Sequence, residues 1–432
     1  MVRPRIARTV KARRAPAAPL ATPLAFGFPA AAAVVFALAL GILLRLVVMD
    51  VPQRTPDELY YAYYAVHLSN GEASFASLLQ HYSATPAMWQ ETAPPTRLGY
   101  LWLAVGAIGL TGVGSPETLA LLSLVSSVVG LFLVMAIALE IGGAPCAALA
   151  ILLLASSPLD LAIARRGWQD ATQAAVTLGV AWAFVGAVRR PPGWVARAVC
   201  LALAAYSMLI KETGMVILAL AITGLAWEAW PRSRRDAAIS VLAGALAGLA
   251  AVATLLAVGG VENVVGAYRL LFSSATMNDY MRRYQMGGPG LYVTGLLLTQ
   301  PVTASLAVVG TALALARPRW LMAEGAADGA RRALRGVAGF VLLYALVAAM
   351  YSQKNMRFLS PLFGLGCILA AALLLGAWAR FAATLVAPAR RMGAAVGWVL
   401  LLVHAALDVM RFWQGFVVRQ IPDLATRWFV GR

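Results

Sequence analysis

Two segments of this chain hold carboxylates in positions suited to proton transfer. Asp57 and Glu58 lie between an apolar run and a tyrosine-rich run, and Asp170 follows Arg165 and Arg166 within one short segment. A carboxylate held beside an incoming hydroxyl can act as a general base. The neighbouring arginines suit binding of a negatively charged group, because a guanidinium pairs strongly with phosphate or carboxylate.

Two further segments supply cations. Lys211 and Glu212 interrupt a long apolar stretch, and Lys354 and Arg357 precede an expected helix start near Pro361. The chain has 35 Lys and Arg residues, of which only three are lysine, so lysines at 211 and 354 are unusual choices. Together the four segments predict a set of carboxylates facing a set of cations.

Each segment also has a purely structural interpretation. The acidic pair at 57–58 can cap a helix, and the two arginines at 165–166 can lie at an interface with Asp170 as their ion-pair partner. Lys211 can pair with Glu212 at a helix break. The neighbouring tyrosines are interpreted as an aromatic belt rather than a sugar platform, namely Tyr60, Tyr61, Tyr63 and Tyr64.

Membrane-spanning helices must position these residues. Hydrophobic residues make up 61% of the chain and charged residues only 12%, which lies outside the range of soluble domains. The net charge of +17 comes from short basic clusters between apolar runs, a pattern that indicates membrane topology and excludes a nucleic-acid partner. We therefore predict an all-α polytopic protein of the inner (plasma) membrane with a cytoplasmic N-terminus.

About 20 apolar residues are needed to cross a bilayer. This rule predicts about eleven spans, at 29–49, 117–139, 144–163, 171–188, 194–210, 213–230, 237–259, 290–316, 336–352, 358–379 and 392–411. The glycine-rich segment 98–114 is predicted to lie in the interface. The predicted organisation is a basic tail (1–28), a transmembrane domain (29–411) and a C-terminal tail (412–432). Basic residues assigned to the inner side include Arg234, Arg235, Arg317, Arg319, Arg331, Arg332, Arg335, Arg380 and Arg391.

The predicted spans bring the charged segments to one membrane face. Segments 165–170, 211–212, 260–289 and 353–357 are separated by pairs of spans, and 50–97 shares their face if 98–114 does not cross. We therefore expect Asp57 to lie opposite the later cations. Segment 260–289 is either a lid over this site or a solvated loop.

The acidic segment also resembles a known family. Pro56-Asp57-Glu58, followed by Tyr61-Ala62, is similar to the first outer loop of GT-C glycosyltransferases of the protein O-mannosyltransferase and lipid A aminoarabinose transferase type. Segments 165–170, 211–212 and 354–361 resemble, in the same order, the family's second acidic loop, span-end lysine and basic loop. The resemblance implies a GT-C-like bundle whose first outer loop, 50–116, carries interfacial helices.

The resemblance also implies an activity. Such enzymes use a polyprenyl-phosphate monosaccharide donor at the outer face, and the acceptor is a glycan, a lipid or a protein. We predict an inverting transfer with Asp57 as general base and Asp170 as a second catalytic carboxylate. The predicted substrate-binding residues are Glu58, Arg97, Arg165, Arg166, Lys211, Glu212, Lys354 and Arg357. Arg97 stands where the family often has lysine, so it either replaces that lysine or marks a different mode of phosphate binding.

No metal is required by this scheme, although Asp57, Glu58 and Asp170 have the oxygen ligands that a divalent cation prefers. A lipid-linked sugar flippase or transporter is the main alternative. Transporters often show repeated halves and midplane polar groups, whereas this chain has no internal repeat and places its charges at span ends. A second alternative is a noncatalytic scaffold whose outer charges pair with one another.

Overall fold

The structure is a computed structural model that describes residues 30–49, 51, 53–84, 93–190, 193–277, 279–322 and 326–430. The predicted basic tail, 1–28, lies outside these residues. The described residues form helices joined by short turns, with isolated β-bridges at Met286–Gln353 and Asn355–Ala425. The predicted all-α membrane fold is therefore confirmed.

The helices follow one another closely along the chain. The first nine are α1 (Ala30–Val47), α2 (Pro56–Ser69), α3 (Phe75–Ala84), α4 (Leu98–Thr111), α5 (Pro116–Ala155), α6 (Pro158–Ala164), α7 (Gln169–Arg189), α8 (Trp194–Ile210) and α9 (Gly214–Ala229). The later ones are α10 (Arg234–Gly259), α11 (Val261–Met277), α12 (Asp279–Tyr284), α13 (Gly290–Thr299), α14 (Pro301–Ala316), α15 (Asp328–Met350), α16 (Ser360–Ala383), α17 (Ala387–Phe412) and α18 (Arg427–Val430).

Seven helical segments of the described chain are long and apolar enough to cross a membrane, and five shorter apolar helices accompany them. The shorter ones include α8 and α9, which coincide with predicted spans 194–210 and 213–230. Among the described residues of the predicted first outer loop, three helices form, α2 to α4. Segment 260–289, predicted to be a lid or a solvated loop, contains α11 and α12.

Two predicted spans are wrong as continuous helices. The span predicted at 144–163 begins at a sharp kink in α5, where Gly143 has a φ of 74°, and it is broken again before α6. Glycine reaches positive φ without the strain that a Cβ atom would impose. The span predicted at 290–316 is broken at Gln300, and Pro301 then occupies the first turn of α14, where its missing N–H costs no hydrogen bond. Hydrophobicity alone does not register these breaks.

The bundle surrounds two central helices. Most residues of α7 and α16 are buried, whereas α10 and α17 expose most of their apolar side chains. A helix that is apolar on all sides belongs in the interior, and an exposed apolar surface suits contact with lipid tails. The N-termini of α7 and α16 lie together, since the Ser360 hydroxyl donates to the Asp170 carbonyl at 3.4 Å. Asp170 and the segment 353–357 are therefore brought close together at one end of the bundle.

Candidate functional site

The start of α2 directs its two carboxylates to different surroundings. Thr55 precedes the helix and Pro56 occupies its first turn, so the first helical residues are fixed in orientation. The Glu58 carboxylate turns back to accept a hydrogen bond from the Thr55 backbone N–H at 2.8 Å. The Glu58 side chain is fully buried, while the Asp57 side chain remains 27% exposed.

Glu58 is the centre of a buried anchor formed by Arg54, Thr55, Glu58, Arg166 and Gly167. Arg166 donates to its carboxylate at 3.1 Å, the Gly167 N–H at 2.8 Å and Arg54 at 3.1 Å. A buried carboxylate is tolerated when cations and hydrogen-bond donors surround it. The buried anchor therefore links the start of α2 to segment 165–170. Glu58 caps the helix, as the structural interpretation proposed, and also binds Arg166 and Gly167.

Asp57 belongs to a second group, the rim cluster of Asp57, Arg357 and Asp423. The Arg357 guanidinium donates to Asp57 at 3.0 Å, and its Nε lies 3.3 Å from Asp423. The same guanidinium lies 4.6 Å from the centroid of the Trp168 ring. Residues 300 positions apart thus meet, as expected from the predicted topology.

Lys211 and Asp170 form a buried ion pair. The ion pairs predicted in the structural interpretation are therefore wrong. Lys211 does not pair with Glu212, and Asp170 does not pair with Arg165 or Arg166. The second oxygen of Asp170 is buried and has no hydrogen-bond partner among the described residues. That oxygen remains able to accept a bond from a ligand.

A tight turn between α8 and α9 fixes Lys211. A Cβ atom on Gly214 would lie 2.2 Å from the Ser207 carbonyl group, so only glycine permits this close approach. The Lys211 ammonium group lies 4.8 Å from the centroid of the Phe358 ring. The turn therefore delivers the lysine to the junction of α7 and the 353–357 segment.

Arg97 and Glu212 form a further pair at 3.4 Å, and the Thr96 hydroxyl donates to the same carboxylate at 3.2 Å. Burial alone would raise the pKa of Glu212, but the Arg97 guanidinium and Lys211 together hold that pKa below its ordinary value. Glu212 is therefore a carboxylate that stays ionised in its folded surroundings.

Tyr61 and Tyr64 correct the aromatic-belt prediction. Both side chains are buried, and their hydroxyls donate to the backbone carbonyls of Pro94 at 3.3 Å and Ala93 at 3.0 Å. Arg97 in turn donates to the Tyr61 hydroxyl. These two rings pack the first outer segment, whereas Tyr63 is 48% exposed and fits the belt.

Lys354 and Arg165 are two further buried cations. Lys354 is almost fully buried, with its ammonium group 5.5 Å from the centroid of the Tyr292 ring, and no carboxylate in the described part of the chain lies within 4 Å. Arg165 is also buried and lies over the Phe412 ring at 5.7 Å. Lys354 is thus a buried cation whose charge is available to an anionic ligand.

A divalent cation does not fit the three carboxylates considered for it. Asp57, Glu58 and Asp170 each face a separate cation, and no group of three metal-ligating side chains occurs in the described ranges. A metal ion would have to displace Arg357, Arg166 and Lys211 to collect them. The acidic residues are therefore arranged for ion pairing.

Asp423 is the site residue that the sequence did not indicate. It accepts from Asn355 at 3.2 Å and from the Tyr280 hydroxyl at 3.1 Å, in addition to its contact with Arg357. Trp428, which follows it, stacks on Tyr284 with ring centroids 4.8 Å apart. The C-terminal tail therefore lies on the same face as the site and packs against α12, and a single carboxylate in an arginine-rich tail was its only sequence signal.

A family model and several solved structures match this chain. Residues 94–257 match the family model described as dolichyl-phosphate-mannose-protein mannosyltransferase, a region that contains Arg97, Asp170 and Lys211. No curated protein matches the chain.

Solved structures share the fold. ArnT from Cupriavidus metallidurans in the apo state is 18% identical, with a TM-score of 0.54 over 93% of this chain and 78% of ArnT. The same ArnT bound to undecaprenyl phosphate gives a TM-score of 0.51. The oligosaccharyltransferase AglB from Archaeoglobus fulgidus is 12% identical, with a TM-score of 0.54 over 89% of this chain and 55% of AglB. The resemblance predicted from the sequence is confirmed by these findings.

Proposed function

We propose that this protein of the GT-C glycosyltransferase type transfers a monosaccharide from a polyprenyl-phosphate donor to an acceptor hydroxyl at the outer membrane face. The transfer inverts the anomeric centre, and Asp57 acts as the general base. The observation that carries this proposal is the position of Asp57, a partly exposed carboxylate held 3.0 Å from Arg357. Its burial and its partner distinguish it from the adjacent Glu58.

The proposed donor class has support from the similar structures. One is an ArnT bound to undecaprenyl phosphate, and another is an AglB in complex with an inhibitory peptide and a dolichol-phosphate. Both lipids are polyprenyl phosphates. Their phosphate needs cations at a membrane rim, which Arg357 and Lys354 supply in this chain.

The reaction then proceeds in one displacement. The acceptor hydroxyl gives its proton to Asp57 as its oxygen bonds to the anomeric carbon, and the bond from that carbon to the phosphate oxygen breaks. Polyprenyl phosphate leaves with one more negative charge than it carried as a diester. Cations that contact the leaving phosphate therefore stabilise the transition state more than the ground state.

Arg357 links the two halves of this scheme. In the rim cluster it pairs with Asp57, and an arriving phosphate competes for the same guanidinium. When Arg357 moves toward the phosphate, Asp57 loses its ion pair and can accept a proton. Asp423 remains ion-paired with Arg357. Lys211 and Arg97 are already neutralised by Asp170 and Glu212, so we assign them to positioning the site rather than to the first contact with phosphate.

The test is turnover of a labelled polyprenyl-phosphate sugar by the purified protein, with membranes from a strain lacking the gene as the source of acceptor. We expect release of polyprenyl phosphate, reduced by about 10²- to 10⁴-fold in Asp57→Asn. Asp279→Asn is the matched control, because Asp279 is an exposed carboxylate of α12 whose ion-pair partner among the described residues is the nearby Arg282.

A fully active Asp57→Asn protein refutes the assignment of the base. Movement of intact donor across the bilayer without cleavage of the carrier bond identifies the transporter instead. Cellular function retained after simultaneous Asp57→Asn and Lys211→Met substitution favours the scaffold. Mass spectrometry of lipids and glycans from the deletion strain names the sugar and the acceptor.

A further inference from the structure

A large cleft lies at the opposite end of the bundle from the site. It has a volume of about 720 Å³, and arginines dominate its lining, namely Arg317, Arg319, Arg331, Arg332, Arg335 and Arg380. Helix α16 runs from Ser360 beside Asp170 to Arg380 in this arginine cleft. Twenty helical positions correspond to roughly 30 Å, about the thickness of the hydrocarbon core of a bilayer.

One wall of the cleft is formed by close packing of a short 3-10 helix against α16. A Cβ atom on Gly376 would lie 2.6 Å from the Trp320 carbonyl oxygen, so glycine allows the short 3-10 helix Pro318–Trp320 to seat directly on α16. Arg380 donates to the Gly376 carbonyl at 2.8 Å and to the Arg319 carbonyl at 3.3 Å, and it lies over the Trp320 ring at 4.5 Å. These contacts fix the positions of the arginines on either side of the turn.

The positive charge of the arginine cleft is only partly balanced. Arg331 pairs with Asp328, whose side chain is 82% exposed, and Arg332 lies 3.8 Å from Glu228. Arg317, Arg319 and Arg335 are exposed, and no carboxylate of the described residues lies within 4 Å of their guanidinium groups. Guanidinium groups stay charged at any physiological pH, so this concentration of charge persists.

We propose that the arginine cleft binds a phosphate group, with Arg317, Arg319 and Arg335 as its principal contacts. Guanidinium groups bind phosphate through paired hydrogen bonds, and a concave site of this volume is large enough for a small phosphate-bearing molecule. This inference does not depend on the proposed sugar transfer, since none of these residues touches the outer site.

The position of the cleft favours an anionic lipid headgroup as the source of that phosphate. Apolar side chains are exposed close by on two of the helices that form it, with Val309 of α14 47% exposed and Phe381 of α16 56% exposed. Such surfaces suit lipid tails, and the arginines at the ends of those helices then stand at headgroup level. A soluble phosphate compound would meet the same groups from the aqueous side.

Two binding measurements on the purified full-length protein separate these sources. The first titrates phosphatidylglycerol, with phosphatidylcholine as reference, and counts bound lipid by native mass spectrometry. The second titrates inorganic pyrophosphate by calorimetry in neutral detergent. The cleft variant is Arg317→Gln/Arg319→Gln/Arg335→Gln. The matched control is Arg234→Gln/Arg235→Gln/Arg391→Gln, which removes the same charge from three exposed arginines also assigned to the inner side.

We expect wild type and control to bind at least one probe equally well, and the cleft variant to bind it about tenfold more weakly or worse. A cleft-dependent loss for phosphatidylglycerol alone identifies a lipid headgroup, and a loss for pyrophosphate alone identifies a soluble phosphate. Equal losses in cleft and control variants, or no binding of either probe by wild type, overturn the proposal. If the triple variant does not fold, Arg335→Gln alone provides the same comparison with a smaller loss.

Discussion

Asp57 and Glu58 are neighbours in the sequence and carry the same functional group, yet they belong to regions of different character. In the buried anchor, Glu58 is fully enclosed and receives hydrogen bonds from Arg166, Arg54 and two backbone N–H groups. In the rim cluster, Asp57 keeps part of its surface exposed and has Arg357 as its ion-pair partner. The role of each carboxylate therefore follows from its exposure and from the number of groups that donate hydrogen bonds to it.

The buried anchor gives the largest expected effect. Glu58→Gln leaves Arg166 without its counter-charge in a buried position, which typically destabilises a protein by about 3–5 kcal/mol. The measurement is denaturant or thermal unfolding of the purified protein in detergent.

Glu117→Gln is the matched control, because Glu117 contacts the same Arg54 at 3.4 Å but its side chain is 66% exposed. An exposed pair of this kind contributes about 0–1 kcal/mol. If the two variants unfold alike, the distinction between the buried anchor and an ordinary surface pair is wrong.

Substitutions in the rim cluster should lower the rate of donor turnover. Arg357→Gln removes the cation that contacts both Asp57 and Asp423, and loss of one such charge contact typically costs about 10²- to 10³-fold in rate. The assay is donor turnover, with unfolding measured in parallel. Arg283→Gln, an exposed arginine of α12, serves as control. Wild-type turnover by Arg357→Gln would remove Arg357 from the mechanism.

Asp423 reaches the rim cluster from the C-terminal tail. Asp423→Asn keeps the size of the side chain but removes one of the two negative charges beside Arg357. We expect turnover to fall about three- to tenfold. This is the effect of weakening, but not removing, a single hydrogen bond to a charged group. Unchanged turnover together with lower stability would mean that the tail only packs against the site.

The smallest effect concerns pH and Glu212. Its pKa is lowered in the folded protein, so the unfolded chain takes up a proton first as the pH falls. The stabilising contribution of Glu212 is therefore complete above the ordinary pKa of 4.5 and disappears as the pH falls through the folded value.

At neutral pH, the free energy of unfolding should be about 1 kcal/mol higher for wild type than for Glu212→Gln. The two values should converge as the pH falls into the acid range. A difference that stays constant across this range would show that the charge of Glu212 is not what stabilises the fold.

Local features of the sequence were enough to predict the membrane class, most helix positions and the gathering of charged segments on one face. Apolar runs long enough to span a bilayer are a local property, and counting spans between segments requires no knowledge of packing. The family resemblance at Asp57 and the later segments rests on the same local order of residues.

Which carboxylate meets which cation depends on the tertiary packing. Lys211 pairs with Asp170, Glu58 with Arg166, and Asp57 with Arg357, and each choice depends on how helices far apart in the chain are rotated against one another. The same reason explains the burial of Tyr61 and the arrival of Asp423 from the tail. A one-residue step turns a helical side chain by about 100°, which separates an exposed carboxylate from an enclosed one, and the packing of neighbouring segments fixes which is which.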